Sequence, residues 1–365
     1  MSKKLRVTLK RIFWVFIPPV LVLGVGVLGL SFYLIHHLAH PLPTQLYGSP
    51  RDFEIITQMA MWTDEKWKNT DDTQAVGWFL SRGRSAPVVI LSHAYGSNRS
   101  ELLSLGFELW KAGYHVLVYD MRGHGESPTK WSGLGTYEAD DLLSAINFLR
   151  TMKVPANALN IANLDGNQKQ NPKVDTNQKQ NAKLDVNQKL IDGRFGLYGV
   201  DLGGYASLIA SSQDPMVKAV AVDSVYLDVS HFIKTRMRGF IGSDSSWANK
   251  VIESSWTSKL TELSMQVYLL RREDSAPALD SVRGAHGRRF LYITAPKTGE
   301  QEVMTKELAS QTKDQKEVIE VENCRLKRLY DKAASTYDAR VVQFFREAMP
   351  PTEKLPLPPG VRASK

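Results

Sequence analysis

Short apolar, strand-like runs alternate with helical patterns through most of the chain after residue 85. The first run, APVVILSH (86–93), is rich in β-branched residues and is typical of a buried parallel strand. The later runs are HVLVYD, RFGLYGV, VKAVAVDSV, RRFLYITA and KEVIEVE. Amphipathic segments such as TYEADDLLSAINFLR (136–150) separate them. This alternation predicts an α/β fold, with a mostly parallel central sheet and helices on both of its faces.

Catalytic and binding groups of such sheets gather where the parallel strands end. The run RFGLYGV leads directly into Gly199–Gly204, which has the frame of a nucleophile elbow, G-x-S-x-G. That elbow is a tight strand-to-helix turn in which bulky neighbours would clash, so Gly199 and Gly203 are explained by the turn. An aspartate, Asp201, stands where the serine is expected. We therefore predict that Asp201 marks the functional site.

Four motifs follow one another in a fixed order along the chain. They are VVILSHAYGSNRSE, GYHVLVYDMRGHGES, GTYEADDLLSAINFL and LYGVDLGGYASL. In this order they resemble the α/β-hydrolase superfamily, and within it the membrane-anchored, single-domain serine hydrolases. The resemblance implies an α/β-hydrolase fold with a small helical cap over residues 226–287. It also implies an oxyanion hole built from the backbone N–H of Leu202 and of the loop His93-Ala94-Tyr95.

The catalytic triad that this resemblance implies is altered at all three positions. Asp201 occupies the nucleophile position, and the acid is expected after RRFLYITA, where Glu300 is the nearest carboxylate. The histidine is expected after the last strand, where Arg325 or Leu326 stands, and no histidine follows His286. We therefore expect ordinary serine-hydrolase chemistry to be lost.

Two interpretations of the site remain open. In the first, the chain is a catalytically inactive binding protein, a pseudoenzyme, whose Asp201 carboxylate accepts the N–H groups that would otherwise hold an oxyanion. In the second, Asp201 is the nucleophile of a hydrolase of non-acyl substrates, of the epoxide or haloalkane type. The base that activates water would then be a displaced histidine, His231 or His93. A purely structural envelope protein is a third interpretation.

The N-terminal region predicts a membrane anchor. Residues 12–35 carry no charged side chain and are long enough to cross a hydrocarbon core as a helix. Residues 1–11 are basic and contain no acid, so the positive-inside rule places the N-terminus in the cytoplasm and the main domain outside. The run is longer than a signal-peptide core and ends in the poor cleavage site HHLAHP, which favours an uncleaved single-pass signal-anchor. The pattern G-x-G-x-x-G at Gly24–Gly29 lies inside this apolar run, so it indicates no dinucleotide cofactor.

The rest of the chain divides into a stem (36–50), one α/β-hydrolase domain (51–348) and a loose Pro-rich tail (349–365). Within the domain, residues 153–192 form a polar insertion that contains Asp-x-Asn-Gln-Lys three times with a period of ten. This stretch lacks the apolar residues of a core and the ligand pattern of an EF-hand. We interpret it as a tandem-repeat expansion of a surface loop.

Composition narrows the range of partners. The net charge of +8 falls to +3 without the five basic residues of the first eleven, which argues against nucleic acid. Cys324 is the chain's one cysteine, so no intrachain disulfide and no cysteine-built zinc site is expected. The sequence indicates no cofactor and no metal. The partners it implies are the membrane and a small-molecule or protein ligand of unknown identity.

Overall fold

A computed structural model describes residues 3–52, 61–153, 189–241, 246–269, 278–296, 299–321 and 334–351. The chain separates into two compact units. The smaller unit joins Met1–His40 to Val229–Ser275, and the larger joins Pro41–Asp228 to Ala276–Lys365. Most of the segment expected as a cap, residues 226–287, therefore groups with the N-terminal helix.

The larger unit is built on one sheet, which has eight strands among the described residues. The strands are β1 (Met61–Lys68), β2 (Gln74–Ser81), β3 (Ala86–Ser92), β4 (His115–Asp120), β5 (Ile191–Val200), β6 (Val217–Asp223), β7 (Arg289–Thr294) and β8 (Gln315–Glu320). Their order is β1-β2-β4-β3-β5-β6-β7-β8. The pairs β1–β2 and β2–β4 are antiparallel and the others are parallel. The predicted α/β fold is confirmed, and the hairpin β1–β2 adds two strands that the alternating pattern did not include.

The helices fall between the strands as the α/β pattern requires. In chain order they are α1 (Lys3–Ala39), α2 (Leu103–Lys111), α3 (Glu138–Arg150), α4 (Leu202–Gln213), α5 (Val229–Ile241), α6 (Ser246–Glu253), α7 (Ser255–Leu269), α8 (Ala278–Gly284), α9 (Glu300–Gln311) and α10 (Ala334–Ala348). Helix α3 begins at Glu138, and Tyr137 is its N-cap residue.

The core explains why central strands such as β3 and β4 are continuous apolar runs. Strand β3 is buried along its whole length, and alternate residues face opposite sides of the sheet. Val89 and Leu91 belong to one apolar cluster with the buried faces of α2 and α10. Helix α4 is buried along nearly its whole length and packs against α3 and α8. This close packing leaves the turn between β5 and α4 little freedom.

The smaller unit contains the apolar helix α1. Residues Ile17–Ala39 have a mean hydropathy of 2.0 and are long and apolar enough to cross a membrane, a criterion that a signal sequence also meets. Residues 154–188, which hold the ten-residue repeats, and residues 352–365 of the tail lie outside the described residues. At the ends of the insertion, Lys153 and Lys189 form an antiparallel bridge.

Candidate functional site

The turn after β5 has the backbone of an elbow. Asp201 adopts φ 55° and ψ −116°, a strained conformation for any residue with a side chain. Its N–H donates to the Asp223 carbonyl at 2.9 Å, and its own carbonyl accepts the Tyr205 N–H at 3.0 Å in the first turn of α4. The strand, the turn and the helix are thus joined by backbone hydrogen bonds through this one residue.

Glycines permit this turn because backbone atoms crowd around it. A Cβ on Gly199 would lie 2.3 Å from the Gly203 carbonyl oxygen. A Cβ on Gly203 would lie 2.5 Å from the Ser92 carbonyl oxygen. Both separations are far below van der Waals contact, and the atoms concerned are main-chain atoms that cannot rotate away. The steric role that the sequence suggests for the two glycines is present in the structure.

The Asp201 side chain points into the protein and is 0% exposed. Its Oδ2 accepts the backbone N–H of Tyr95 at 3.1 Å. Its Oδ1 accepts a hydrogen bond from Gln301 Nε2 at 3.3 Å. Tyr95 belongs to the loop after β3 that the sequence assigns to the oxyanion hole, together with His93, Ala94 and the N–H of Leu202. In this structure the carboxylate itself is the acceptor for the Tyr95 N–H.

Gln301 is a site residue that the sequence did not single out. It is 6% exposed, and its Nε2 also lies 2.7 Å from Tyr226 Oη and 3.1 Å from the Ser224 carbonyl. Glu300, the carboxylate expected in the acid role, is exposed as the first residue of α9. The side chain that contacts Asp201 from this turn is therefore the amide of Gln301. No motif marks a glutamine, and its direction depends on where α9 begins.

His93, one of the two candidate bases, is fully buried in a fixed tautomer. Its Nε2 accepts the Met121 N–H at 3.1 Å, so the ring proton is on Nδ1 and is donated to the Ala94 carbonyl at 2.7 Å. Burial lowers the pKa of His93 to about 4. His124 packs edge-on against it, with ring centroids 5.3 Å apart, and bonds to the Arg122 carbonyl. Both ring nitrogens of His93 are therefore used in backbone hydrogen bonds, one within its own loop and one to the residue after β4.

His231 and His286 are the other histidines named from the sequence. His231 is on α5, which belongs to the smaller unit, whereas Asp201 belongs to the larger one. His286 is exposed and precedes β7, at the amino end of that strand. The position expected for a catalytic histidine, at Arg325 or Leu326, lies outside the described residues. Among the described residues, no group of three His, Cys, Asp or Glu side chains is placed to hold a metal ion.

The loop that carries Tyr95 is held from the stem. Asn98 Nδ2 donates to Thr44 Oγ1 at 3.1 Å and to the Gln45 carbonyl at 2.9 Å. Thr44 Oγ1 donates to the Ser97 carbonyl at 3.1 Å. The segment interpreted as a stem therefore lies against this loop, over residues 44–47, before it reaches the sheet.

An ion pair joins the same loop to β4. Arg99 pairs with Asp120, at the end of β4, and its backbone N–H donates to Asp120 Oδ1 at 2.7 Å. The guanidinium carbon lies 4.1 Å from the centre of the Trp78 ring. The carboxyl ends of β3 and β4 are thus fixed to each other by charge and by aromatic packing.

A second buried network lies at the end of β6. Asp223 accepts Ser224 Oγ–H at 2.8 Å and Tyr337 Oη–H at 2.7 Å. Tyr337 is also 2.8 Å from the hydroxyl of Tyr198, on β5. This network joins β5, β6 and α10 through side chains behind the elbow strand. The Asp223 carboxylate is therefore hydrogen-bonded to buried hydroxyl groups of the protein itself.

Comparisons with known proteins agree with this architecture. The family model of the X-Pro dipeptidyl-peptidases (S15 family) matches residues 77–341. An esterase of Pyrococcus furiosus is similar in structure, with a TM-score of 0.57 and 16% identity over 85% of this chain and 98% of that one. An α/β hydrolase from a Penicillium species is similar with a TM-score of 0.51 and 14% identity, over 79% and 99% of the two chains. No curated protein matches the sequence.

Proposed function

Since the chain belongs to the X-Pro dipeptidyl-peptidase (S15) family, with the α/β-hydrolase fold, we propose that it is a membrane-anchored member without serine-hydrolase chemistry. In this proposal it acts by binding a small molecule or a protein. One observation carries the proposal, namely the hydrogen bond from the Tyr95 N–H to the buried Asp201 carboxylate.

The electrostatics of that hydrogen bond oppose catalysis. An oxyanion hole works because backbone N–H groups point to the place where negative charge develops in the transition state. Here a carboxylate already accepts the Tyr95 N–H and brings its own negative charge to that place. A second anion beside Asp201 would be repelled as well as deprived of this donor.

The chemistry of a carboxylate nucleophile also opposes acyl transfer. Attack of Asp201 on an ester or amide carbonyl would produce an anhydride, which is higher in energy than the substrate. Attack on an epoxide or haloalkane would produce an ester, and a base is needed to activate the water that hydrolyses it. His93 is held neutral by hydrogen bonds to the Ala94 carbonyl and from the Met121 N–H, so His231 is the remaining candidate base of the two.

The alternative function is therefore hydrolysis of a non-acyl substrate by Asp201, with His231 as the base. The elbow backbone favours it, because the turn that presents a nucleophile in this fold is present at Asp201. The burial of the Asp201 side chain and its hydrogen bonds from Tyr95 and Gln301 favour the binding function. We place the binding function first on these grounds.

Turnover assays separate the two functions. The full chain in detergent would be incubated with X-Pro dipeptide arylamides, aryl esters, epoxides and haloalkanes, beside Asp201→Asn and the surface control Asp280→Asn. We expect no turnover by any of the three proteins. Turnover of an epoxide or haloalkane that disappears in Asp201→Asn and in His231→Gln, but not in Asp280→Asn, would establish the alternative.

We further propose that residues 12–35 are an uncleaved anchor, with the N-terminus in the cytoplasm and the main domain outside. The apolar run and its basic flank support this arrangement. Alkaline carbonate should leave the full-length mass in the membrane pellet, and protease added outside should digest the domain. A shortened mature mass in the soluble fraction would identify a cleaved signal sequence instead.

A further inference from the structure

Strand β8 forms one edge of the sheet in the larger unit. Among the described strands it pairs with β7 alone, in parallel register from Arg289↔Gln315 to Thr294↔Glu320. Its residues are exposed or half-buried along the whole strand, and Val318 is 43% exposed. A regular edge strand presents backbone N–H and C=O groups with which a strand of another chain can pair. Strand β8 is therefore a candidate interaction surface.

The hydrogen bonds to β7 determine which backbone groups of β8 face outward. The Val321 N–H, just after β8, donates to the Thr294 carbonyl at 2.9 Å, so the backbone groups of Val321 point to β7. Successive residues of a strand direct their backbone groups to alternate sides, so the odd-numbered residues of β8 also point to β7. The outward-facing N–H and C=O groups are therefore those of Lys316, Val318 and Glu320.

The side chains of these three residues share the face of the sheet that α9 covers. The Glu320 carboxylate lies 2.6 Å from the Lys306 ammonium of α9. The Lys316 ammonium donates to the Thr312 carbonyl at the end of α9, at 2.7 Å. All three side chains are nevertheless exposed. This face of the edge strand thus presents a cation, an apolar residue and an anion, at equal spacing.

We propose that β8 pairs with β8 of a second copy of this chain, antiparallel, about a twofold axis at Val318. Val318 of the two copies then lie opposite each other, and Lys316 of each copy lies opposite Glu320 of the other. Each of these is a hydrogen-bonded pair, because it uses the outward-facing backbone groups. Opposite charges directly across two strands stabilise the pairing, and like charges destabilise it.

The charges select this register and this partner. A twofold axis at Lys316 or at Glu320 would place two like charges opposite each other, whereas an axis at Val318 places opposite charges together. Lysine and glutamate on an edge strand discourage pairing with unrelated strands, and a second β8 is the strand that matches them. Because both copies use the same strand, the interface closes on itself and leads to a dimer.

Val318→Pro separates pairing with a partner from pairing with β7. The N–H of residue 318 points outward, so proline removes a donor to the second copy and none to β7. By sedimentation equilibrium of the full chain in density-matched detergent, we expect a dimer for the parent and for the control Val318→Thr. The dissociation constant should rise about tenfold or more in Val318→Pro, since each copy loses one donor. Near-UV circular dichroism should show that the variant stays folded.

Charge reversal tests the register. Lys316→Glu places like charges opposite each other and should weaken the dimer. The double variant Lys316→Glu with Glu320→Lys restores opposite charges across the twofold axis and should recover the dimer, although it does not restore the contact between Glu320 and Lys306. A double variant as weak as Lys316→Glu would contradict the register centred on Val318.

Disulfide cross-linking tests the proximity of the two strands even if the proline variant does not fold. Cys324→Ser removes the one native thiol, and Val318→Cys is added. The Cα atoms of a hydrogen-bonded antiparallel pair are about 5.5 Å apart, within the range of a disulfide. Thr63→Cys, exposed on β1 at the other edge of the sheet, is the matched control. Mild oxidation should link two chains through position 318 and not through position 63.

Three outcomes would overturn the proposal. The first is a parent chain that stays monomeric at all concentrations and gives no disulfide at 318. The second is a dimer that persists in folded Val318→Pro and is not linked at 318, which would mean that another surface joins the copies. The third is equal linking at 318 and 63, which would show random collision of exposed thiols.

Discussion

The turn after β5 contains Asp201, and the turn after β7 contributes a side chain that contacts it. The two turns differ in whether the backbone or a side chain determines what they contribute to the site. The turn after β5 has an elbow backbone, with φ 55° at Asp201, where the resemblance led us to expect a serine. The turn after β7 contributes the amide of Gln301, where a carboxylate was expected. Backbone geometry at the first turn is fixed by main-chain contacts, whereas side chains at both turns can change if their hydrogen bonds remain satisfied.

The side chains of Asp201 and Gln301 are compatible with each other. A carboxylate at position 201 accepts hydrogen bonds, and an amide at position 301 donates them. A carboxylate at both positions would place two negative charges together in a buried site, which costs free energy unless one is protonated. The amide of Gln301 therefore stabilises a buried Asp201 in a way that an acid would not.

The largest effect is expected where the backbone is fixed. A Cβ on Gly203 would lie 2.5 Å from the Ser92 carbonyl oxygen and 2.6 Å from that of His93. Since main-chain atoms cannot yield, Gly203→Ala should lower the free energy of unfolding by about 3 kcal/mol, measured by thermal unfolding with near-UV circular dichroism.

Gly284→Ala is the control for that variant. A Cβ on Gly284 would meet no atom within 4 Å, and its φ is not in the left-handed region. Its stability should stay within about 1 kcal/mol of the parent chain. If Gly203→Ala unfolds at the same temperature as Gly284→Ala, the elbow is not fixed by its backbone and the comparison between the two turns fails.

The second effect tests the side chain at the other turn. Gln301→Glu places a carboxylate against Asp201 and the Ser224 carbonyl, and should cost about 2 kcal/mol at neutral pH. Repulsion and burial raise the folded-state pKa of the introduced acid above its unfolded value of about 4.3. The variant should therefore approach the parent's stability below about pH 4 and lose stability as pH rises through the raised pKa.

Gln301→Met separates charge from shape in this experiment. It removes the amide donors without adding a charge, so its cost of about 1 kcal/mol should not change between low and neutral pH. A flat pH dependence for Gln301→Glu, parallel to that of Gln301→Met, would mean that Asp201 and Gln301 do not interact electrostatically.

The parallel strands were predictable because their chemistry is local. The apolar runs predict β3, β4 and β6 to within two residues of their observed ends, since a strand buried on both faces is apolar throughout. Strand β1, MWTDEKWK, was missed because it is an edge strand, rich in charge, and its pairing depends on β2. The steric demand at Gly199 and Gly203 was visible in the motif.

The side-chain partners of the site were not predictable in the same way. Gln301 follows Glu300 directly, and only the start of α9 decides which of the two turns inward. The contact between Thr44 and Asn98 joins residues more than fifty positions apart, and both side chains are common in loops. Such pairs depend on tertiary packing, which the hydrophobic periodicity of the sequence does not reveal.

The third prediction concerns the loop after β3 and the dependence of stability on pH that His93 produces. Burial lowers the pKa of His93 to about 4. Between about pH 6.5 and about pH 4, His93 is therefore protonated in the unfolded chain but neutral in the folded chain. The contribution of His93 to stability is therefore fully present above about pH 6.5 and is lost as pH falls toward about 4. His115, with a pKa lowered to about 3, acts in the same direction.

Unfolding midpoints of His93→Gln over that pH range isolate the contribution of His93. The variant loses the Nε2 acceptor for Met121, so it should be less stable at neutral pH but fall less steeply on acidification. Equal slopes for the variant and the parent chain would show that His93 is not held neutral in the folded protein.

The smallest effect is expected where the stem holds the loop. Thr44→Val keeps the shape of the side chain but removes its bonds to Ser97 and Asn98, which should cost about 1 kcal/mol. Thr63→Val, at an exposed position of β1, should change stability by less than about 0.5 kcal/mol.

Amide hydrogen exchange shows whether the effect of Thr44→Val is confined to the loop after β3 or extends to the elbow after β5. In Thr44→Val, amides of the loop 93–102 should exchange faster, because side chains from the stem hold this loop. Amides of 199–205 should keep their protection, because the backbone contacts of Gly199 and Gly203 hold the elbow independently. Equal loss of protection in both segments would show that the stem stabilises the whole site, and that the elbow depends on the carboxylate bond to Tyr95 as much as on its glycines.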